Sequence, residues 1–186
     1  MIDNLLIKYA SPTLAGVKTG SLFKVYKNHE LNLSKEIENY NHLLNPLDIY
    51  LHVIYTCDKY SLIYLYRLKM LLHDLNDKNI REFLNTYGYE GVMINDYIFH
   101  LKYRFELLHK TPHEIGVFLG YPLNDVIDFI KYKGSNFKIC GCWKVYNDVT
   151  SCSNKFDIFK KYTQVFTLLY SNNYPFEALV YNGIIF

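Results

Sequence analysis

Residues 49–67 read IYLHVIYTC, then DK, then YSLIYLYR, and this stretch decides the fold class. The runs at residues 49–57 and 60–67 are rich in β-branched and aromatic side chains, which favour strands. The polar pair Asp58 and Lys59 between two such runs is typical of a hairpin connection. The sequence therefore predicts an antiparallel β-hairpin here.

Helical and strand patterns extend from this hairpin in both directions. Residues 1–9 are predicted to form an apolar helix that ends at Ser11 and Pro12, because proline disfavours a helical residue before it. Residues 21–26 alternate apolar and polar side chains, as a strand does. Further helices are predicted after Ser34 up to the break at Pro46, and at residues 68–75, 79–87, 95–108, 112–119, 123–131 and 156–170, and a further strand at 138–146.

These elements predict an α+β fold, with a roughly four-stranded, mostly antiparallel sheet packed with several helices. The chain has 186 residues, a length that suits one domain of ordinary size. It contains no internal repeat and no linker rich in proline or glycine. We therefore expect a single globular domain over residues 1–186.

Composition and charge exclude several classes of protein. The formal net charge is +2 and no long run of Lys or Arg occurs, so nucleic acid is not expected as a partner. The apolar runs are far shorter than the ~20 residues of a membrane-spanning helix. Because residues 1–9 lack a basic segment before their apolar part, no signal peptide is predicted. We expect a cytoplasmic protein without a membrane partner, whose four cysteines are reduced thiols.

Three blocks of sequence resemble a known family in their order and spacing. They are SPTLAGVK at residues 11–18, PHEIGVFLGYPLNDV at 112–126 and CGCWKVY at 140–146. In these blocks the chain resembles domain-of-unknown-function family 3793 (DUF 3793), found mainly in anaerobic low-GC bacteria. The resemblance extends over nearly the whole chain. It implies a bacterial protein, but it implies no activity and no cofactor.

His113 and Glu114 are candidate acid–base groups. Their sequence begins like a zinc-protease helix, but that motif needs a second histidine four residues after the first, and position 117 is Val. One interpretation makes His113 a proton carrier beside Glu114, with Lys144 as an electrostatic partner. The structural alternative places Glu114 in the first turn of a helix, where a carboxylate favours the helix dipole.

Residues 112–133 also resemble a helix-turn-helix, which makes DNA binding an alternative. The second helix carries Asn124, Asp125 and Asp128, with Lys131 only at its end. Phosphate groups would repel the two carboxylates, whereas recognition of bases needs donors and cations. The pattern therefore favours a packed helical hairpin.

Cys140 and Cys142 lie two residues apart on the predicted strand, so their side chains should share one face. Together with Cys152 they are candidates for part of a metal or cluster site. Because two cysteines separated by two residues are absent, we expect no metal, and buried structural cysteines are the alternative. On the same strand Lys144 and Tyr146 lie on the face opposite Trp143, either as ordinary alternation or as a pair that faces a ligand.

The turn at residues 12–16 is a further candidate, for an anion bound to backbone amides beside Thr13 and Lys18. A purely structural turn is the alternative.

The favoured function is a small-ligand-binding or accessory protein with a pocket between the sheet and the helical hairpin. The ligand-binding residues predicted are Thr13, Lys18, Tyr121, Trp143 and Tyr146. An enzyme that uses His113, Glu114 and Lys144 is the alternative, and DNA binding through residues 112–133 is the second. The sequence identifies no cofactor and no oligomeric state.

Overall fold

The computed structural model describes residues 2–27 and 32–181, and it confirms the hairpin at residues 49–67. In chain order the elements of the first part are α1 (Ile2–Leu14), β1 (Gly20–Tyr26), α2 (Leu33–Leu44), β2 (Ile49–Thr56), β3 (Tyr60–Arg67), α3 (Leu68–Leu75), α4 (Lys78–Asn85) and α5 (Ile94–Leu108). The remaining elements are α6 (Ile115–Phe118), α7 (Leu123–Lys131), β4 (Ile139–Cys140), β5 (Lys144–Val145), α8 (Val149–Ser171) and α9 (Phe176–Tyr181). Within the described ranges, no helix combines the length and the apolar character that crossing a membrane requires.

The chain divides into two compact units. The first comprises Met1–Lys69 and Asp157–Phe186, and the second comprises Met70–Phe156. The boundaries between the units fall within α3 and α8. The expectation of a single domain over residues 1–186 stays a prediction.

The first unit is built around a three-stranded antiparallel sheet in the order β1-β3-β2. The central strand β3 is buried at residues 61–66, and both of its edges are paired with other strands. A register shift between Val53 and Tyr55 marks a bulge in β2. One face of the sheet contributes Phe23, Leu51 and Ile63 to a core that α1, α2, α8 and α9 complete.

The α+β class is confirmed, but the expectation of one sheet of roughly four strands is wrong. The segment at residues 138–146 is not a single strand of the main sheet. It folds back at residues 141–143, so that β4 and β5 pair with each other as a separate two-stranded sheet. A Cβ on Gly141 would lie 2.3 Å from the ring of Phe156, so this turn requires the close approach that glycine permits.

The first helix also differs from its prediction, because α1 continues through Ser11 and Pro12 to Leu14. Proline removes one backbone donor from the helix. The carbonyl that loses this donor is that of Lys8, four residues before Pro12, and the Ser11 hydroxyl donates to the neighbouring Ile7 carbonyl. Residues 10–14 are all buried, so tertiary packing outweighs the local preference. The helix predicted at residues 112–119 is shorter than expected, because only Ile115–Phe118 is helical.

Arg67 ties the end of α1 to the sheet of the first unit. Its Nε donates to the Thr13 carbonyl at 2.7 Å and its Nη1 donates to the Leu47 carbonyl at 3.3 Å. A further guanidinium nitrogen, Nη2, donates to the Leu14 carbonyl. Burial lowers the pKa of this guanidinium from its usual value. The planar fork of Arg can satisfy three carbonyls in three directions, whereas the single ammonium of Lys cannot.

We expect Arg67→Lys to lower the free energy of unfolding by about 2 kcal/mol, because the partly buried carbonyls of Leu14 and Leu47 lose a charged donor. Urea unfolding followed by circular dichroism measures the loss. The matched control is Arg81→Lys on the exposed surface of α4, which should change stability by less than about 0.5 kcal/mol. Equal losses in the two variants would show that the three carbonyl contacts of Arg67 contribute nothing specific.

Candidate functional site

A cavity of about 490 Å³ lies within the second unit, between α6, α7 and the β4–β5 hairpin. This volume lies in the range of roughly 300–1,000 Å³ that is usual for small-molecule sites. Most of the lining side chains are apolar or aromatic, and the polar ones are few. The lining residues are Thr111, Pro112, His113, Ile115, Gly116, Tyr121, Asp125, Val126, Phe129, Cys140, Gly141, Cys142, Trp143 and Lys144.

Asp125 in the first turn of α7 holds the β4–β5 hairpin in place. Its carboxylate is only 2% exposed. Oδ2 accepts a hydrogen bond from Trp143 Nε1 at 2.9 Å, and Oδ1 accepts from the backbone N–H of Tyr146 at 2.9 Å and of Asn147 at 3.1 Å. The side-chain amide of Asn147 donates a further bond to Oδ1 at 3.1 Å. One buried carboxylate therefore satisfies donors on both sides of β5.

The pKa of Asp125 reflects two opposing causes. Burial disfavours the charged form and raises the pKa, but the hydrogen bonds from Tyr146, Trp143 and Asn147 outweigh it, and the net shift is downward. A carboxylate that accepts several N–H bonds is stabilised in its charged form. Asp125 is therefore an anion at neutral pH, and its role is to position other groups.

Tyr121 and Trp143 form the aromatic wall of the cavity. Their rings stack with centroids 4.7 Å apart and planes 25° apart, and the Tyr121 hydroxyl donates to the Cys142 carbonyl at 3.2 Å. Trp143 also meets the ring of Phe156 edge-on at 4.5 Å. Gly120 has a φ of 76°, a left-handed conformation that suits glycine and that lets the chain turn just before Tyr121.

Two basic side chains, Lys144 and His113, also line the cavity. The Lys144 ammonium donates to the Gly134 carbonyl at 2.6 Å and lies 4.8 Å from the ring centroid of Phe137. The exposed His113 ring contacts Phe129 edge-on, with centroids 5.2 Å apart. An ammonium has three donors, so Lys144 retains donors for a ligand while its position is held.

Glu114 does not line the cavity, although it follows His113 directly. Its carboxylate is 1% exposed and forms an ion pair with Arg104 Nε at 2.7 Å. The hydroxyl of Tyr89 donates to the same oxygen at 3.4 Å. The hydrogen bond from Arg104 raises the pKa of that guanidinium. Glu114 therefore pairs with the partly buried cation of Arg104, whereas His113 lines the cavity.

The three cysteines considered for a metal site are not brought together as one set. Cys140 and Cys142 are exposed, whereas Cys152 is buried and its thiol lies 3.8 Å from Asp125 Oδ2. The alternative of buried structural cysteines is therefore wrong for Cys140 and Cys142. Across residues 2–27 and 32–181, no group of three or more His, Cys, Asp or Glu is placed to hold a metal ion.

Tyr146 lies outside the cavity lining. Its side chain is buried and stacks on Tyr132 with centroids 5.9 Å apart, and its hydroxyl has no hydrogen-bond partner among the described residues. Burial raises the pKa of this hydroxyl. Of the two residues predicted to face a ligand together, Lys144 lines the cavity and Tyr146 does not.

Thr13 and Lys18 belong to the first unit, whereas the cavity is lined by the second unit alone. The Thr13 hydroxyl is buried and shares a hydrogen bond with the Ser21 hydroxyl at 2.9 Å. The Lys18 ammonium lies 6.0 Å from the ring centroid of Phe159. Residues 11–14 form the last turn of α1, and Gly16 follows with a φ of 80°. Anion binding at this turn stays a prediction.

Sequence reasoning missed Asp125 as a positioning residue and Phe129 as a lining residue. The sequence presents Asp125 only as a charge that would repel DNA, and nothing in its helix indicates that donors 18 to 22 residues later reach it. The apolar spacing of α7 does identify Val126 as buried. It does not distinguish a core position such as Val126 from a wall position such as Phe129.

We expect Asp125→Asn to lower the free energy of unfolding by about 2–4 kcal/mol at neutral pH, because the amide opposes the Trp143 N–H with a second donor. Since the folded pKa of Asp125 lies below its unfolded value, this stabilisation is present above about pH 4 and is lost as the pH falls through the folded pKa. Urea unfolding followed by Trp143 fluorescence at neutral and acidic pH measures both effects.

The control for this prediction is Asp128→Asn, one turn later on α7. Asp128 is partly exposed and accepts one bond, from the Asn147 amide at 3.1 Å, so the loss should stay below about 1 kcal/mol. A loss in Asp125→Asn that matched the control, or that stayed constant from neutral to acidic pH, would contradict the positioning role.

Glu114→Gln should cost about 2 kcal/mol of stability, because it leaves the partly buried Arg104 cation without its anion. The adjacent His113→Ala should cost less than about 0.5 kcal/mol, since an exposed side chain contributes little to folding. Thermal unfolding of the two variants under identical conditions measures the difference. If His113→Ala proved as costly as Glu114→Gln, the histidine would be a structural residue and not a cavity group.

Comparison with known proteins gives one result. The family model described as "Protein of unknown function (DUF3793)" matches residues 6–180. No match was found among curated proteins or among solved structures. The matched range contains the cavity and nearly all of both units, so the match is not limited to one part of the chain. The chain belongs to the DUF3793 family of proteins of unknown function.

Proposed function

We propose that this protein binds a small aromatic acid in the cavity of the second unit. The observation that carries the proposal is the combination of one cavity of about 490 Å³, an aromatic wall and a basic edge. Ligand sites in proteins are mostly apolar with a few polar groups that fix orientation. A cytoplasmic location and a bacterial source belong to the same proposal.

The aromatic part of the ligand would lie against Tyr121, Trp143 and Phe129. Trp143 is held by its bond to Asp125 and by the stack with Tyr121, so its ring offers a fixed surface. Aromatic rings in offset or edge contact are stabilised by about 0.5–1.5 kcal/mol beyond burial of their area. A rigid wall loses little entropy when a flat ligand binds to it.

The acidic part of the ligand would face Lys144 and His113. The Lys144 ammonium is held by the Gly134 carbonyl, and charge-assisted bonds from such a donor are the stronger ones in proteins. The carboxylate among the lining residues is that of Asp125, whose oxygens are already engaged by N–H donors. The cavity edge therefore offers positive charge and donors to an anion.

The acid–base enzyme alternative stays a prediction, with less support than ligand binding. His113 and Lys144 line one cavity, but the Glu114 carboxylate is engaged by Arg104. DNA binding through residues 112–133 stays a prediction as well. In that segment Asp125 is buried under the hairpin and Asp128 pairs with Asn147, so α7 presents few donors for base edges.

Trp143 makes the test site-specific, because the chain contains one Trp and its indole N–H gives one resonance. We expect naphthoate to shift that resonance in a heteronuclear NMR titration and to bind about tenfold more tightly than neutral naphthylmethanol, a difference of about 1.4 kcal/mol. Lys144→Gln should remove the preference for the acid, because it removes the cation at the cavity edge.

The matched control is Lys138→Gln. Lys138 Nζ also donates to a backbone carbonyl, that of Asn147 at 3.0 Å, but Lys138 does not line the cavity. Its substitution should leave the preference for naphthoate unchanged. An indole resonance that neither compound shifts, or an equal loss of preference in the two lysine variants, would refute the proposed site.

A further inference from the structure

Cys140 and Cys142 place two thiols at the wall of the cavity. Both side chains are exposed, both line the cavity, and one residue separates them. Cysteine reactivity requires access to solvent and reagent, which Cys140 and Cys142 have and the buried Cys152 does not. All four cysteines lie in the described part of the chain, and none forms a disulfide.

The turn that carries these thiols has a defined geometry. Cys140 pairs with Lys144 across the β4–β5 ladder, the Gly141 N–H donates to the Trp143 carbonyl at 3.0 Å, and Tyr121 donates to the Cys142 carbonyl. Residues two apart in a chain are at most about 7 Å apart between Cα atoms. A disulfide bridges Cα separations of about 4.4–6.8 Å, and the chain between Cys140 and Lys144 is a turn and not an extended strand.

We propose that Cys140 and Cys142 form a thiol–disulfide exchange site that acts on small acidic disulfides bound in the cavity. The preference for an acidic substrate rests on the proposed function, whereas the exchange rests on the two thiols. A disulfide that closes a ring across one residue is strained and easily reduced. Such a bond suits reversible exchange and not structural stabilisation.

The exchange proceeds in two balanced steps. The sulfur of one cysteine, having released its proton to solvent, attacks one sulfur of the substrate disulfide, and the other substrate sulfur leaves as a thiolate. The second cysteine then loses its proton and attacks the sulfur of the first, and the second substrate thiolate leaves. The protein dithiol is oxidised by two electrons, and the substrate disulfide, which is the oxidant, is reduced to two thiols.

The probe is dithiobis(nitrobenzoate), an aromatic disulfide with carboxylates, used on a Cys57→Ser background because Cys57 is only partly buried. We expect this protein to release two equivalents of nitrothiobenzoate and to keep no adduct. Trypsin cleaves after Lys138 and Lys144, so residues 139–144 form one peptide that contains both cysteines. Mass spectrometry should find that peptide lighter by two hydrogen atoms.

Single variants distinguish exchange from independent modification. Cys140→Ser and Cys142→Ser, each on the same background, should release one equivalent and keep one nitrothiobenzoate adduct, because no second thiol is present to displace it. A background protein that kept two adducts, or whose oxidised peptide did not contain the two linked cysteines, would overturn the proposal. Mild thiols should restore the dithiol, and a disulfide that resisted them would also contradict it.

A second measurement separates this proposal from the ligand-binding one. Naphthoate and Lys144→Gln should each slow the first step with dithiobis(nitrobenzoate) by on the order of fivefold, since the anion is attracted to the cavity edge, and should slow it less with neutral hydroxyethyl disulfide. Lys138→Gln, outside the cavity lining, should slow neither reaction. If the Cys140–Cys142 disulfide formed but neither naphthoate nor Lys144→Gln changed the rate, the preference for an acidic substrate would be overturned. The proposal of thiol–disulfide exchange would remain. If the protein bound naphthoate but kept two nitrothiobenzoate adducts, the exchange proposal would be overturned and the ligand-binding proposal would stand.

Discussion

The buried carboxylate of Asp125 is the interaction on which the candidate site depends. Its two oxygens accept donors from Trp143, Tyr146 and Asn147, which lie on the returning side of the β4–β5 hairpin. A two-stranded sheet with two residues in each strand has too few ladder bonds to be stable alone. The hairpin therefore keeps its shape because α7 provides an anion that its backbone and indole donors can share.

The position of that hairpin creates the cavity and sets its chemistry. Trp143 is oriented by Asp125 and stacks on Tyr121, which forms the aromatic wall, and Lys144 follows directly with its ammonium at the edge. The same turn presents Cys140 and Cys142 to the same space. The proposed ligand binding and the proposed thiol exchange thus depend on one local structure, although they use different atoms of it.

In the first unit a cation, and not an anion, bonds several backbone groups. Arg67 at the end of β3 donates to carbonyls of α1 and of the turn before β2, and the Thr13 carbonyl among them also accepts from the Gly16 N–H. In each unit, one charged side chain satisfies backbone groups at the end of a regular element. Such contacts are strong because the groups are buried, and their loss is costly for the same reason.

The sequence by itself determined the hairpin of β2 and β3, the helices α3, α5 and α7, and the family, because β-branched runs and helical spacing are local signals. Only the tertiary structure decided that α1 passes through Pro12, that residues 138–146 form their own hairpin, and that His113 and Lys144 share a cavity while Glu114 pairs with Arg104. These outcomes depend on partners distant in sequence: packing of residues 10–14, the ring of Phe156 against Gly141, and the donors that reach Asp125. A local pattern does not contain that information, since it records which side chains are apolar and not what they meet.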